Sequence, residues 1–148
     1  MRRYDDAREK SIESDPIDFI DLRCRMMSCL FCEVPESEII IDHDLCFARW
    51  DKFPVSPGHM LVIPRRHYAS VFDATAEEFA AMWEVIGQVK QLIDKEYKPD
   101  GYNIGVNVGQ AGGQSVFHMH MHIIPRYKGD VENPKGGVRG VIPFKQKY

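Results

Sequence analysis

The stretch SVFHMHMHIIP, residues 115–125, carries the pattern that decides the fold. His118, His120 and His122 alternate with apolar residues, and successive side chains of an extended strand point to opposite faces of a sheet. We therefore expect the three histidines to share one surface while the intervening apolar side chains pack on the core. Three of the six histidines of the chain lie within five residues here, so a single buried structural histidine explains the pattern poorly.

Two kinds of chemistry suit histidines arranged in this way. A His-x-His pair on a strand is a good zinc-ligand geometry when further ligands complete a tetrahedron. Alternatively, a neutral imidazole attacks a phosphoryl centre while a second histidine donates a proton or balances the developing charge. The preceding segment GQAGGQS, residues 109–115, favours phosphate over bare metal, because glycines let backbone N–H groups approach an anion closely.

The flanking segments predict further strands. EIIID (38–42) and LCFARW (45–50) lie on either side of a turn-like His-Asp pair, which suggests a hairpin. HMLVIP (59–64) is a continuous apolar run bounded by Gly and Pro, and the alternation in YNIGVNV (102–108) predicts one more strand.

A long helix is predicted between these strands. Thr75 and Glu78 have the spacing of a capping box, and apolar residues recur every three or four positions over residues 79–97. The Pro-Asp-Gly segment at 99–101 predicts the end of this helix. A shorter helix is predicted over DPIDFIDLRCRMM (15–27), where a proline stands at a plausible first helical position.

Length and charge bound the function. The chain has 148 residues, which fits one domain, and we expect a mobile polar arm over 1–14, a main domain over 15–127 and a Gly- and Pro-rich tail over 128–148. Its 19 basic and 22 acidic side chains give a net charge of −3, so no global positive field holds nucleic acid. No apolar run reaches the roughly 18 to 20 residues that span a bilayer, and MRRYDDAREK is not followed by the apolar segment of a secretory signal. We therefore expect a cytoplasmic protein.

The histidine segment and its surroundings together resemble the histidine triad (HIT) superfamily of nucleotide hydrolases and transferases. The signature of that family, His-φ-His-φ-His-φ-φ with φ apolar, reads HMHMHII over residues 118–124. The resemblance spans about residues 29–127 and includes CLFC (29–32), DKFPVSPGHMLVIPRRH (51–67) and DGYNIGVNVGQAGGQ (100–114). It implies a catalytic domain of α+β fold, with a five-stranded antiparallel sheet and one long helix, and a homodimer.

The resemblance also implies catalytic roles for four residues. His120, the middle histidine, matches the nucleophile that attacks the α-phosphorus and forms a covalent nucleotidyl-histidine, which water then releases. His122 and His59 match histidines that bind the non-bridging oxygens and stabilise charge in the transition state. Ser115 matches the hydroxyl residue that addresses the bridging or leaving-group atom.

Further residues match positions that bind the nucleotide. Asn107 and Gln114 correspond to amide donors for the phosphate or the scissile bridge, although these side chains also suit loop backbone groups. Asp51 corresponds to the acceptor for ribose hydroxyls. Leu30 and Phe31 stand where the family builds its base pocket, although apolar residues in such positions also serve as core.

The cysteines raise the question of a metal. Cys29 and Cys32 have the spacing in which two thiolates reach one tetrahedral ion, but they supply only half of its ligands. Some HIT members complete a structural zinc with two histidines that correspond here to His67 and His118. The alternative is a pair of reduced thiols; a redox pair is less favoured because no thioredoxin-like pattern surrounds it. The other two cysteines, at positions 24 and 46, are expected to be core or incidental thiols.

The resemblance thus implies a hydrolase acting at the α-phosphorus of a purine nucleotide conjugate. The tail segment GDVENPKGGVRGVIP (129–143) resembles a branch of diadenosine polyphosphate hydrolases, which favours a dinucleoside polyphosphate such as diadenosine tetraphosphate. Lys135 and Arg139 are candidates for contacting a polyphosphate, although basic residues in a tail are usually solvated. Three alternatives stay open: an adenosine phosphoramidate hydrolase or nucleotidyltransferase, a non-catalytic nucleotide-binding module, and a metalloenzyme that uses the histidines as ligands.

Overall fold

The computed structural model describes residues 28–147, and a five-stranded sheet with one long helix forms its framework. In chain order its elements are β1 (Ile41–Asp42), β2 (Cys46–Trp50), β3 (Met60–Pro64), α1 (Ala76–Glu96), β4 (Gly101–Gly105) and β5 (Met121–Arg126). The strand order is β1-β2-β3-β5-β4, and every neighbouring pair is antiparallel. The predicted fold class is therefore confirmed, and so is the predicted hairpin, as the β1–β2 pair.

Strand β3 lies in the middle of the sheet and packs on both faces. Met60 and Val62 belong to the main core beneath α1, whereas Leu61 and Ile63 form a smaller cluster with Phe47 on the opposite face. Every residue of this strand is buried. Burial on both faces explains why the segment reads as an unbroken apolar run rather than as an alternating one.

The capping box predicted for the long helix is confirmed. The Thr75 hydroxyl accepts the Glu78 backbone N–H at 3.1 Å, and the Glu78 carboxylate accepts the Thr75 N–H at 2.8 Å. The helix ends at Glu96, after which Lys98 adopts a positive φ of 51°. Its apolar residues at intervals of three and four pack against β2 and β3, on one face of the sheet.

Two predicted strands are shorter than expected. Extended structure was predicted over 102–108 and 115–125, whereas β4 ends at Gly105 and β5 begins at Met121. Gly105 is the last residue of β4 and is paired with His122, and Met121 is the first residue of β5 and is paired with Val62, although β3 continues to Pro64. Two residues before β5, the Met119 N–H donates to the Tyr68 carbonyl at 2.6 Å rather than to a residue of a neighbouring strand.

Outside the sheet and α1, the described residues add little regular structure. The predicted arm over 1–14 and the short helix over 15–27 lie outside the described residues, as does Cys24. The Gly- and Pro-rich tail forms two short 3₁₀ helices, Gly137–Val141 and Pro143–Lys145. Within residues 28–147 no helix is long and apolar enough to cross a membrane.

Candidate active site

The predicted site residues converge on one face of the sheet. His122 on β5 is paired with Leu61 on β3, and Leu61 is paired with Arg49 on β2, so these three side chains form a row across that face. A cavity of about 310 Å³ lies over the row. Seven of the predicted residues line it: Leu30, Phe31, Asp51, His59, Ser115, His120 and His122.

The backbone holds the His120 ring in one tautomer. Nδ1 of His120 lies 2.8 Å from the backbone carbonyl oxygen of His118, and a carbonyl only accepts hydrogen bonds. In the neutral ring Nδ1 therefore carries the proton, and Nε2 keeps its lone pair. Since the ring lines the cavity, this arrangement offers an unprotonated nitrogen to a bound phosphorus centre.

A second chain of hydrogen bonds sets the tautomers of His59 and His122. The Val55 N–H donates to Nδ1 of His59 at 3.3 Å, so the proton of a neutral His59 is on Nε2. That Nε2 lies 3.1 Å from Nδ1 of His122, which accepts from it and in turn keeps its own proton on Nε2. Asp51 lies beside both rings, with Oδ2 3.5 Å from His59 Nε2 and 3.9 Å from His122 Nδ1.

Burial keeps these histidines neutral. It lowers the pKa of His122 to about 4, an effect that the neighbouring His120 and His59 reinforce and Asp51 opposes. Burial also lowers the pKa of His59, again against the attraction of Asp51. At neutral pH the two rings are therefore hydrogen-bonding groups without net charge, and the Asp51 carboxylate is the adjoining charged group.

The glycine-rich loop is braced by one of the predicted phosphate ligands. The buried Gln114 amide accepts the Gly109 N–H at 2.8 Å and donates to the carbonyls of Ala69 and Val116, at 2.7 and 3.1 Å. Both the oxygen and the nitrogen of the amide therefore bond to backbone groups. This is the role that the sequence offered as an alternative to binding phosphate. Asn107 is half-buried and is not among the residues that line the cavity.

The predicted metal ligands also come together. Cys29, Cys32, His67 and His118 place one potential ligand atom each within 4.8 Å of one another. Cys29 Sγ and Cys32 Sγ each lie 3.5 Å from His118 Nδ1, and Cys32 Sγ lies 3.3 Å from His67 Nδ1. Nε2 of His118 donates to the Pro64 carbonyl at 2.8 Å, which leaves Nδ1 unprotonated toward the sulfurs.

This cluster fits a tetrahedral zinc ion. Zinc bonds of about 2.3 Å to sulfur and about 2.0 Å to nitrogen place S and N ligands about 3.5 Å apart in a regular tetrahedron. The separations between sulfur and nitrogen match that value, the ligand set is Cys₂His₂, and the hydrogen bond from His118 to a carbonyl is the usual outer contact of a ligating histidine. Burial lowers the pKa of His118 to about 4, so its ring is available as a neutral ligand.

The structure adds cavity residues that the sequence did not single out. Arg49 is only 6% exposed, and its Nη2 lies 2.7 Å from Oε2 of Glu38. Lys52 pairs with the other oxygen of Glu38 at 3.2 Å. Two cationic side chains that line the cavity thus share one carboxylate. In the sequence nothing distinguishes Arg49 from other strand residues. Only the order and register of the strands align it with His122. Arg139, by contrast, donates to carbonyls of its own tail, at residues 145 and 146.

Comparison with known proteins identifies the family. The HIT domain model matches residues 33–129 of this chain. The chain belongs to the HIT family. The bis(5'-adenosyl)-triphosphatase of Dictyostelium discoideum is 39% identical over 100 residues, which cover 68% of this chain and 67% of that protein. An adenylylsulfatase of Arabidopsis thaliana is 36% identical over 106 residues, covering 69% of this chain and 54% of that protein.

HIT proteins of known structure share the fold. The crystal structure of a zinc-bound histidine triad protein from Mycobacterium smegmatis superposes with a TM-score of 0.64 at 34% identity, covering 72% of this chain and 81% of that one. A HIT protein from Bacillus anthracis superposes with a TM-score of 0.65 at 33% identity, covering 70% and 76%. The HIT relatives thus include named hydrolases of adenylyl compounds and a protein whose structure contains zinc.

Proposed function

We propose that this HIT protein hydrolyses a purine nucleotide conjugate at its α-phosphorus through a covalent intermediate on His120. The observation that carries the proposal is the hydrogen bond from His120 Nδ1 to the His118 carbonyl, 2.8 Å long, inside the cavity. It directs the lone pair of Nε2 into the space where a phosphate fits. A nucleophile whose tautomer is set by the backbone needs no separate base to be activated.

The reaction has two displacements. Nε2 of His120 attacks the α-phosphorus, a P–N bond forms, and the bond from phosphorus to the leaving group breaks. Water then attacks the same phosphorus, the P–N bond breaks, and the nucleoside monophosphate leaves. The Nε2–H of His122 donates a hydrogen bond to a non-bridging oxygen and keeps its proton throughout, His59 holds His122 in that tautomer, and the hydroxyl of Ser115 addresses the leaving-group atom.

The remaining cavity residues bind the nucleoside. Leu30 and Phe31 form the apolar end of the cavity and take the base. The Asp51 carboxylate, which lies beside the histidine pair, accepts hydrogen bonds from the ribose hydroxyls. Gln114 acts on the phosphate through the shape of the glycine-rich loop that it braces, and Asn107 serves as an amide donor to the phosphate or the scissile bridge.

A dinucleoside polyphosphate such as diadenosine tetraphosphate is the favoured substrate. Support comes from the tail segment 129–143 and from the triphosphatase relative, which acts on a diadenosine compound by its name. An adenosine phosphoramidate, or transfer of the nucleotidyl group to another acceptor, uses the same first displacement. These alternatives differ only in the leaving group or in the group that enters second.

The test of the mechanism is the substitution His120→Ala. We expect kcat/KM for diadenosine tetraphosphate to fall by roughly 10³-fold or more, because both displacements depend on this ring. His43→Ala removes a histidine outside the cavity and is the matched control. Near-normal turnover by the His120 variant refutes covalent catalysis by this residue, and a wild-type chain that binds nucleotides without turnover supports a binding module instead.

The test of the substrate is a side-by-side measurement of kcat/KM for diadenosine tetraphosphate and adenosine phosphoramidate. We expect the polyphosphate to be preferred. A large preference for the phosphoramidate replaces the favoured substrate with the alternative and leaves the role of His120 intact.

We propose zinc as the resident metal, held by Cys29, Cys32, His67 and His118. With four protein ligands the ion has no open position for substrate, so its role is structural. What the bound metal supplies is a cross-link between the 29–32 turn and the segment that carries the nucleophile.

A further inference from the structure

The Cys29–Cys32 turn has two sides that face different sites. Backbone bonds close the turn, from Cys32 N–H to the Cys29 carbonyl at 3.1 Å and from the Glu33 N–H to the same oxygen at 3.3 Å. Its two sulfurs face the histidines of the metal cluster. Its two intervening side chains, Leu30 and Phe31, line the cavity that contains His120 and His122.

Phe31 connects the two sites directly. Its ring meets the ring of His118, a metal-cluster residue, edge-on with 5.9 Å between centroids. The same ring meets that of His120, at 5.0 Å. Phe31 also packs against the small apolar cluster of β2 and β3, and it thus forms a wall shared by the metal cluster, the nucleophile and the cavity.

Leu30 is held less firmly than Phe31. Its side chain is 73% exposed although it lines the cavity. An apolar side chain in this position gains contact area when a ligand covers it, but only if the turn that carries it is already in place. The turn is fixed by its two backbone bonds, by the packing of Phe31 and, when metal binds, by two sulfur ligands.

We propose that metal binding at the Cys29–Cys32–His67–His118 cluster positions Leu30 and Phe31 as the wall of the nucleotide cavity, so that metal and nucleotide bind cooperatively. This inference rests on the proposed function, since it takes the nucleotide to bind in this cavity. Without metal, part of the binding free energy of the nucleotide is spent on ordering the turn. Linkage requires the reverse effect as well: the nucleotide raises metal affinity by the same factor.

Calorimetric binding of adenosine monophosphate tests the coupling without any turnover. The full chain is titrated loaded with zinc, and again after chelation under reducing conditions with its fold checked by circular dichroism. We expect the Kd to rise at least about fivefold on metal removal, the lower end of typical coupling between sites. Zinc affinity, measured against a competing chelator, is expected to rise by the same factor when the nucleotide is present.

Two variants separate the turn from the rest of the cavity wall. Phe31→Ala is expected to weaken nucleotide binding and to reduce the effect of metal removal to less than twofold, while zinc still binds. Phe53→Ala is the matched control, because Phe53 is an exposed aromatic that lines the same cavity outside the turn. It is expected to lower affinity and to keep the full metal effect.

A third variant serves if the metal-free chain does not fold. His67→Gln removes a metal ligand that does not line the cavity, and nucleotide affinity is then expected to follow metal occupancy as zinc is added. Equal nucleotide affinity with and without metal overturns the coupling and leaves the proposed function standing. Failure of the zinc-loaded chain to bind the nucleotide at all refutes the proposed function itself.

Discussion

At the scale of single residues, the site depends on which nitrogen of each histidine carries the proton. His59 sets this for His122, since its own Nδ1 is occupied by the Val55 N–H and its Nε2 donates onward. His59→Leu removes the donor, whereas His59→Gln keeps an N–H of similar reach. We expect kcat/KM to fall by about tenfold or more in the leucine variant and by clearly less in the glutamine variant. Equal activity of wild type and His59→Leu contradicts this positioning role.

The sequence could predict the site where a short pattern determines geometry. Alternation predicted that the three histidines lie on one side of their segment. The spacing of Cys29 and Cys32 predicted that their sulfurs lie close together, and both are 3.5 Å from Nδ1 of His118. Site residues whose position depends on the order of the strands could not be predicted from such local patterns. Arg49 lines the cavity only because β2 lies two strands from β5. For Gln114 the sequence left the loop role open, and the bond to Ala69, 45 positions away along the chain, could not be predicted.

At the scale of elements, the start of α1 depends on a charge pair. Arg66 donates to both carboxylate oxygens of Glu78, at 2.8 and 2.7 Å, and this bonding holds the pKa of Glu78 below its ordinary value of 4.5. The pair therefore contributes stability above that pH, and the contribution is lost as the pH falls through the lowered pKa of the folded state. Glu78→Gln keeps one carbonyl oxygen as the capping acceptor, but it removes the charge and one of the two oxygens that accept from Arg66.

We expect Glu78→Gln to lower the free energy of unfolding by about 1–2 kcal/mol at pH 7, measured by urea denaturation. The difference from wild type is expected to shrink as the pH falls from 4.5 through the lowered pKa of the folded state, because the wild-type carboxylate then loses its charge. Glu77→Gln, an exposed change in the same helical turn, is the control. A difference that stays constant from pH 7 to pH 3 contradicts the assignment to the charge pair.

The turn before β3 depends on the backbone conformation of one glycine, Gly58. Gly58 has a φ of +81°, and an added Cβ lies 3.1 Å from the Tyr97 ring. We expect Gly58→Ala to destabilise the fold by about 1–3 kcal/mol and to displace the adjacent His59. Gly87→Ala, in the middle of α1 with open space around its Cβ, is expected to stabilise by about 0.5–1 kcal/mol. Thermal melting that gives both substitutions the same sign contradicts this account.

Element ends were harder to predict than elements. The helix was predictable because its cap and its apolar spacing are local. The strands over 102–108 and 115–125 were predicted too long because the end of a strand depends on pairing in the folded sheet, such as that of Gly105 with His122 and of Met121 with Val62, which no local pattern contains.

At the scale of the whole molecule, the cluster of Cys29, Cys32, His67 and His118 brings together segments that are far apart in the chain. Its side chains come from residues 29–32, 67 and 118, which the unfolded chain does not hold together, so we expect a metal ion bound by all four to stabilise the folded state. We expect about one Zn²⁺ per chain by elemental analysis of untagged, reduced protein, and a lower melting temperature after chelation. Substoichiometric metal with an unchanged melting temperature leaves Cys29 and Cys32 as a pair of thiols.

The last prediction concerns assembly. Of the two edges of the sheet, β1 is only two residues long, whereas β4 presents five residues whose outer backbone groups have no strand partner within residues 28–147. Its Ile104 is 38% exposed, and Trp83 on the outer face of α1 is 60% exposed. Unpaired edges with apolar side chains favour association with another chain.

We expect a homodimer that uses the β4 edge, with twice the 17.1 kDa chain mass in light scattering. Ile104→Lys places a charge on that edge and is expected to yield monomers, while Val131→Lys changes an exposed valine of the tail and is expected to leave the dimer intact. Wild-type protein that remains monomeric at tens of micromolar concentration contradicts the assembly. A dimer that persists unchanged in the Ile104 variant contradicts the choice of edge, because a buried, unpaired charge destabilises an interface strongly.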